Sequence, residues 1–89
     1  MKHAGEKALD ELSRLVEQIQ RLPGLTERSP GSFYVRRIGF LHFHEDPAGM
    51  FADLKMVNGA WERMRSTSAR EQATLMRLVR EELRARGIM

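Results

Sequence analysis

Between Phe33 and Lys55 the apolar side chains fall on alternate residues in three short runs: Phe33 and Val35, Leu41 and Phe43, then Met50, Ala52 and Leu54. Successive side chains of a strand point to opposite faces, so this spacing predicts half-buried antiparallel strands near 33 to 36, 40 to 45 and 49 to 55. The interruptions read as turns. Arg37-Ile38-Gly39 fits a three-residue hairpin loop with Gly39 at positive φ, and Glu45-Asp46-Pro47-Ala48 fits the next connection. These loops set Val35 opposite Leu41, Phe33 opposite Phe43 and Tyr34 opposite His42. In the second pair they set Phe43 opposite Met50, Leu41 opposite Ala52, His42 opposite Phe51 and Phe40 opposite Asp53. One face of the sheet then holds the alternating apolar residues. The other carries Tyr34, Arg36, Phe40, His42, His44, Phe51, Asp53 and Lys55.

The flanks change period. From about His3 to Leu22, the residues Ala8, Leu9, Leu12, Leu15, Val16, Ile19 and Leu22 recur at steps of three and four, the apolar stripe of one helix. Pro23-Gly24 ends it, because proline cannot continue the ladder and glycine accepts the backbone past a helix end. Leu25 to Arg28 reads as a short edge strand before the turn Ser29-Pro30-Gly31. Met56 to Arg65 reads as a connector holding Asn58-Gly59 and Trp61. A second helix starts at Ser68, where Ser68-Ala69-Arg70-Glu71 spells a capping box. It buries Leu75, Met76, Val79 and Leu83, with Leu78 beside them, and closes at Gly87. The expected fold is a single α+β domain over residues 1 to 89. In it an antiparallel sheet of three or four strands has an N-terminal and a C-terminal helix on one face.

A chain of 89 residues without cysteine has no disulfide staple and no thiolate metal site. No apolar run is long enough for a membrane span, and the start lacks the apolar segment of a signal peptide, so a cytoplasmic protein is expected. A small core makes self-association a natural supplement to stability. The formal net charge is +3, and all of that excess falls after residue 59. Arg63, Arg70, Arg77 and Arg84 recur every seven residues, but Glu71, Glu81 and Glu82 dilute the stripe. Helix, three strands and helix is also the element order of double-stranded-RNA-binding domains. Their basic cluster at the start of the second helix is replaced here by Ala69-Arg70-Glu71-Gln72-Ala73, which argues against nucleic acid as the partner.

His42-Phe43-His44 is the sharpest chemical feature, since alternate strand residues share a face and two imidazoles there could hold a divalent metal, with Asp53 or Glu45 completing the set. No glycine-rich phosphate loop and no Gly-x-Ser-x-Gly elbow is present, and Ser29, Ser32 and Tyr34 are bare candidates for a nucleophile. A His42/Asp53 general-base pair can be drawn, without a second layer of support.

Leu22-Pro23-Gly24-Leu25-Thr26, followed by an extended segment and Gly39-Phe40-Leu41-His42-Phe43-His44, resembles the start of a small bacterial domain family of unknown activity filed as "luciferase family". The likeness spans roughly residues 20 to 46. It implies a sheet in this region and some role for His42 and His44, and it implies no substrate and no light-emitting chemistry. The tryptophan-containing end strand of that family is not recognisable here, where a long helix follows instead.

Two functions are consistent with these residues. The first is a non-catalytic interaction module that forms a homodimer through the aromatic sheet face or an edge strand, unless the connector with Trp61 folds over that face. The second is a small-ligand or metal site built on His42, His44 and Asp53.

Overall fold

In the computed structural model, which describes residues 2–89, the alternating segment forms the centre of an antiparallel sheet. The elements are β1 (Lys2–His3), α1 (Glu6–Glu11), α2 (Ser13–Gln20), β2 (Thr26–Ser29), β3 (Ser32–Val35), β4 (Ile38–Asp46), β5 (Gly49–Lys55), β6 (Trp61–Arg65) and α3 (Ala69–Ala85). The strands run β2-β3-β4-β5-β6 across the sheet, and β1 adds to β4 beyond the end of β3. The class is α+β, as the periods predict.

Leu41, Phe43, Ala52 and Leu54 are wholly buried. With Phe33, Val35 and Met50 they form one cluster with Ala8, Leu12, Leu15 and Ile19 of the N-terminal helical segment and with Leu75, Met76, Val79 and Leu83 of α3. Both apolar stripes therefore meet the same sheet face. The ends of α3 are held by its own sequence. Ser68 accepts from the Glu71 amide while Glu71 accepts from the amides of Ser68 and Thr67. At the other end, Gly87 at φ 74° lets its amide reach Arg84 and lets that of Ile88 reach Leu83, a Schellman closure.

Several expectations need correction. The N-terminal helix does not begin at His3, which lies in β1. It is also divided at Leu12, whose φ of −100° and ψ of 11° leave the helical region while its side chain enters the core. No proline or glycine stands there, so the break serves packing rather than local preference. The connector from Met56 to Arg65 is a hairpin: Met56 and Ala60 close the turn, Asn58 Oδ1 accepts from the Ala60 amide, and β6 pairs with β5. The sheet therefore has more strands than the three or four expected.

The first hairpin differs most. Its turn is Arg36-Arg37, with Val35 opposite Ile38, and both arginines take positive φ, 49° and 73°, while Gly39 does not. Phe33 faces Leu41 and Tyr34 faces Gly39, so Phe40 is an unpaired bulge residue. The bulge breaks alternation, and Phe40 joins Leu41 in the core, 1% exposed, instead of lying on the outer face. In the second hairpin the register is displaced by two residues, with Leu41 opposite Leu54 and His42 opposite Asp53 around the turn Pro47-Ala48. A displacement of two keeps every side chain on its expected face.

A two-residue turn with both residues at positive φ favours Asn-Gly, and arginine there is strained. Replacing Arg36-Arg37 by Asn-Gly is expected to raise stability by about 1 kcal/mol, read as a higher thermal midpoint. An unchanged or lower midpoint would refute the turn geometry.

Candidate functional site: the open face of the sheet

The face of the sheet turned away from the helices follows from the same alternation. With Leu41, Phe43, Ala52 and Leu54 pointing inward, His42, His44, Phe51, Asp53 and Lys55 point outward and are half-buried. Three further elements add rings. Pairing of β1 with β4 sets His3 opposite His44, β3 brings Tyr34, and β6 brings Trp61. The result is a continuous set of ring contacts. His42 lies at centre-to-centre distances of 5.7 Å from Tyr34, 5.3 Å from Trp61 and 6.0 Å from His3, and His3 lies 5.3 Å from His44.

Gly39 makes room for this cluster. A Cβ there would come within 3.0 Å of His42 Nε2 and about 3.5 Å of the outer indole carbons of Trp61. Trp61 reaches across β5 to lie over this glycine. The glycine is needed for close approach and not for an unusual backbone angle.

Beside the rings sits a polar chain. Arg63 grips Asp53 with both Nε (2.7 Å) and Nη2 (2.9 Å), and His44 Nε2 lies 2.8 Å from Asp53 Oδ2. A carboxylate only accepts, so His44 carries its proton on Nε2. The Arg63 hydrogen bond is the main reason that Asp53 is held below the usual carboxylate range, with the charges of His44 and Arg63 adding to it against burial. The pKa of His42 is lowered, first by burial and then by His3 and His44, with Asp53 opposing.

His42 Nδ1 and Ser32 Oγ are both buried without a hydrogen-bond partner, and their residues stand opposite one another across β3 and β4. A hydroxyl donor and an imidazole acceptor are complementary, yet Ser32 is 2% exposed, out of reach of any substrate carbon. Asp53 is occupied by Arg63 and His44 rather than by His42, which removes the His42/Asp53 base pair drawn from the sequence. Among the described residues no group of three or more His, Asp or Glu is placed to hold a metal ion.

Of the residues singled out from sequence, Tyr34, His42, His44, Phe51 and Asp53 come together on this face. Arg36 stands in the β3–β4 turn, and Phe40 lies in the core. Sequence reasoning missed His3 and Arg63; it allowed that the connector with Trp61 covers this face, and Trp61 does lie on it, carried by a strand. For Trp61-Glu62-Arg63-Met64-Arg65 the one signal was the Asn58-Gly59 turn before it; for His3, in a strand of two residues, there was none. The seven-residue arginine stripe also dissolves, because Arg63 belongs to β6 and only Arg70, Arg77 and Arg84 lie on α3.

Two cations lie on the rings of the open face, and its carboxylates, Asp53 and Asp46, stand on β5 and at the far end of β4. Arg28 sits 4.8 Å over the Tyr34 ring and Lys55 lies 5.6 Å from the centre of Trp61. Among the described residues neither makes an ion pair, nor do Arg36 and Arg37.

No protein-family model, curated protein or solved structure matches the chain. The resemblance of residues 20 to 46 to the luciferase-family domain therefore stands on those residues alone.

Two outcomes follow from the geometry. Gly39→Val is expected to push Trp61 off His42, shifting Trp61 fluorescence towards that of exposed indole while the far-ultraviolet dichroism stays native. An unshifted spectrum would mean that the ring does not rest on Gly39. The second concerns pH. The folded chain holds the His42 proton less tightly than the unfolded chain, in which the imidazole titrates near 6.5. Stability is thus fully present above that value and is lost as pH falls towards the lowered folded value. The thermal midpoint should drop between about pH 7.5 and about pH 5.5, and His42→Gln should make the drop smaller. An equal drop in the variant would assign it to other groups.

Proposed function

We propose that the chain is a non-catalytic binding module whose ligand surface is the open sheet face and whose ligand is anionic. The observation that carries this reading is the pairing of ring contacts with unneutralised cations: Tyr34, His42 and Trp61 in contact, with Arg28 and Lys55 laid on the outer rings. Apolar rings left open on a sheet face mark an interaction surface, and cations without carboxylate partners select its charge. Asp53 does not offset them, because Arg63 already neutralises it. A homodimer through this face would set Arg28 and Lys55 of one copy against the like charges of the other, which disfavours the face-to-face dimer considered from sequence.

Titration with inorganic tripolyphosphate at low salt tests the reading, with Trp61 as intrinsic reporter. A saturable fluorescence change is expected, weakened severalfold in Arg28→Gln/Lys55→Gln and screened by salt. No change, or a change indifferent to the two substitutions, would end it.

A second reading has its own observation. Ile38, 58% exposed, and Val57, 57% exposed, flank a cleft of about 340 Å³ with Val35, Phe40 and Ile88 at one end of the sheet. This apolar end supports self-association away from the charged face. Sedimentation at micromolar concentration is expected to show a mass above the monomer that Ile38→Thr/Val57→Thr abolishes; a wild-type monomer would exclude it.

A further inference from the structure

Building on the anionic-ligand reading, we infer that the open face binds single-stranded nucleic acid, with Tyr34, His42 and Trp61 as the platform for unpaired bases and Arg28 and Lys55 as phosphate contacts. The arrangement is directional. The rings form a row across the sheet: Tyr34 on β3, His42 on β4 and Trp61 reaching in from β6, with neighbouring centres 5.7 and 5.3 Å apart. A cation stands at each end of the row, Arg28 at Tyr34 and Lys55 at Trp61. Arg36 and Arg37 are exposed in the turn that leaves β3, and Arg36 shares the cleft at that end of the sheet with Lys55.

A strand of nucleic acid presents planar bases beside a line of negative charges, the groups that such a row of rings with cations at its ends can take. Bases stack on aromatic faces irrespective of sequence, and a guanidinium can serve both as a stacking plane and as a phosphate donor. His42 holds the middle position by its contacts, edge-on to Tyr34 at 87° and tilted 48° against Trp61, so it fixes the two outer rings whose faces take the bases. Trp61, 45% exposed, is the most open ring of the row.

Single strands are specified rather than duplex for a steric reason. A duplex hides its base faces and is read by an element that enters a groove, whereas this face is a sheet with side chains standing up from it. The basic residues of α3 do not provide such an element. Arg77 is paired with Glu81 one turn on, and Glu82 and Glu81 interrupt the row between Arg77 and Arg84.

The test uses the full chain and a fluorescently labelled oligothymidylate of about eight nucleotides, within the usual footprint of such surfaces. The same strand annealed to its complement and inorganic tripolyphosphate are the comparisons. Saturable binding is expected, tighter than that of tripolyphosphate and of the duplex, with quenching of Trp61. Trp61→Ala should weaken it by tenfold or more, and Trp61→Phe should restore most of the loss, since phenylalanine keeps a stacking face. Both variants must melt within a few degrees of the wild-type chain; if alanine does not, Tyr34→Leu takes its place with the same expectation.

The ways of failing are separable. Tripolyphosphate binding with no gain for the oligonucleotide, or with no effect of Trp61→Ala, would overturn base stacking and leave the anion reading intact. Equal affinity for duplex and single strand would likewise overturn it. No binding of either probe would remove both.

Discussion

Everything in this chain takes its position from β4, whose two faces cannot be exchanged. Leu41 and Phe43 are wholly buried on one side, and His42 and His44 stand on the other. Sliding the strand by one residue would expose a leucine and a phenylalanine, each worth roughly 1.5–3 kcal/mol of burial, and drive two imidazoles under the helices. β4 also has three neighbours, with β1 and β3 sharing one edge and β5 covering the other. The bulge at Phe40 belongs to the same constraint. By leaving one residue of β4 unpaired it turns a second aromatic ring of that strand into the core, where Arg86 of the α3 terminus lies 4.9 Å above it and donates to the Lys55 carbonyl. The end of the last helix is thereby locked to the sheet.

The candidate surface is the remainder of that requirement. Helices can cover one face of a sheet this small, so the side chains opposite the core must pack among themselves. They do so as rings: three imidazoles, a phenol and an indole in successive contact, over a glycine that leaves room for the largest. Arg28 and Lys55 lie on the outer rings, and Asp53 is held by Arg63 and His44. This composition separates the surface from an ordinary solvated sheet face, where polar side chains interleave with opposite charges.

Much of the fold was legible because its signals are local. The stripe Leu75, Met76, Val79 and Leu83, the capping box at Ser68 and the glycine closure at Gly87 need no knowledge of the rest of the chain. The face of each strand residue was equally legible for His42, His44, Phe51 and Asp53, since alternation alone assigns it. Phe40 was misplaced for the same reason: a bulge resets the alternation, and nothing in Gly39-Phe40-Leu41 announces one. The β5–β6 register shows how close the information lay, because Asn58-Gly59 marks the turn, yet Trp61 to Arg65 carries one apolar inward side chain, Met64, too few to read as a strand.

By itself, then, the sequence determined the class of fold, the two helical stripes and the division of β4 and β5 into an inner and an outer face, since each follows from spacings of two, three and four residues. The tertiary structure alone decided the pairing. Faces survive a displacement of two residues, so alternation could not choose between His42 opposite Phe51 and His42 opposite Asp53; the length of the Pro47-Ala48 turn did. It also completed the site, because His3 of β1 and Trp61 of β6 reach the Tyr34–His42 hairpin from remote parts of the chain. Only pairing across the sheet brings their rings together, and pairing is a long-range property that no local spacing encodes.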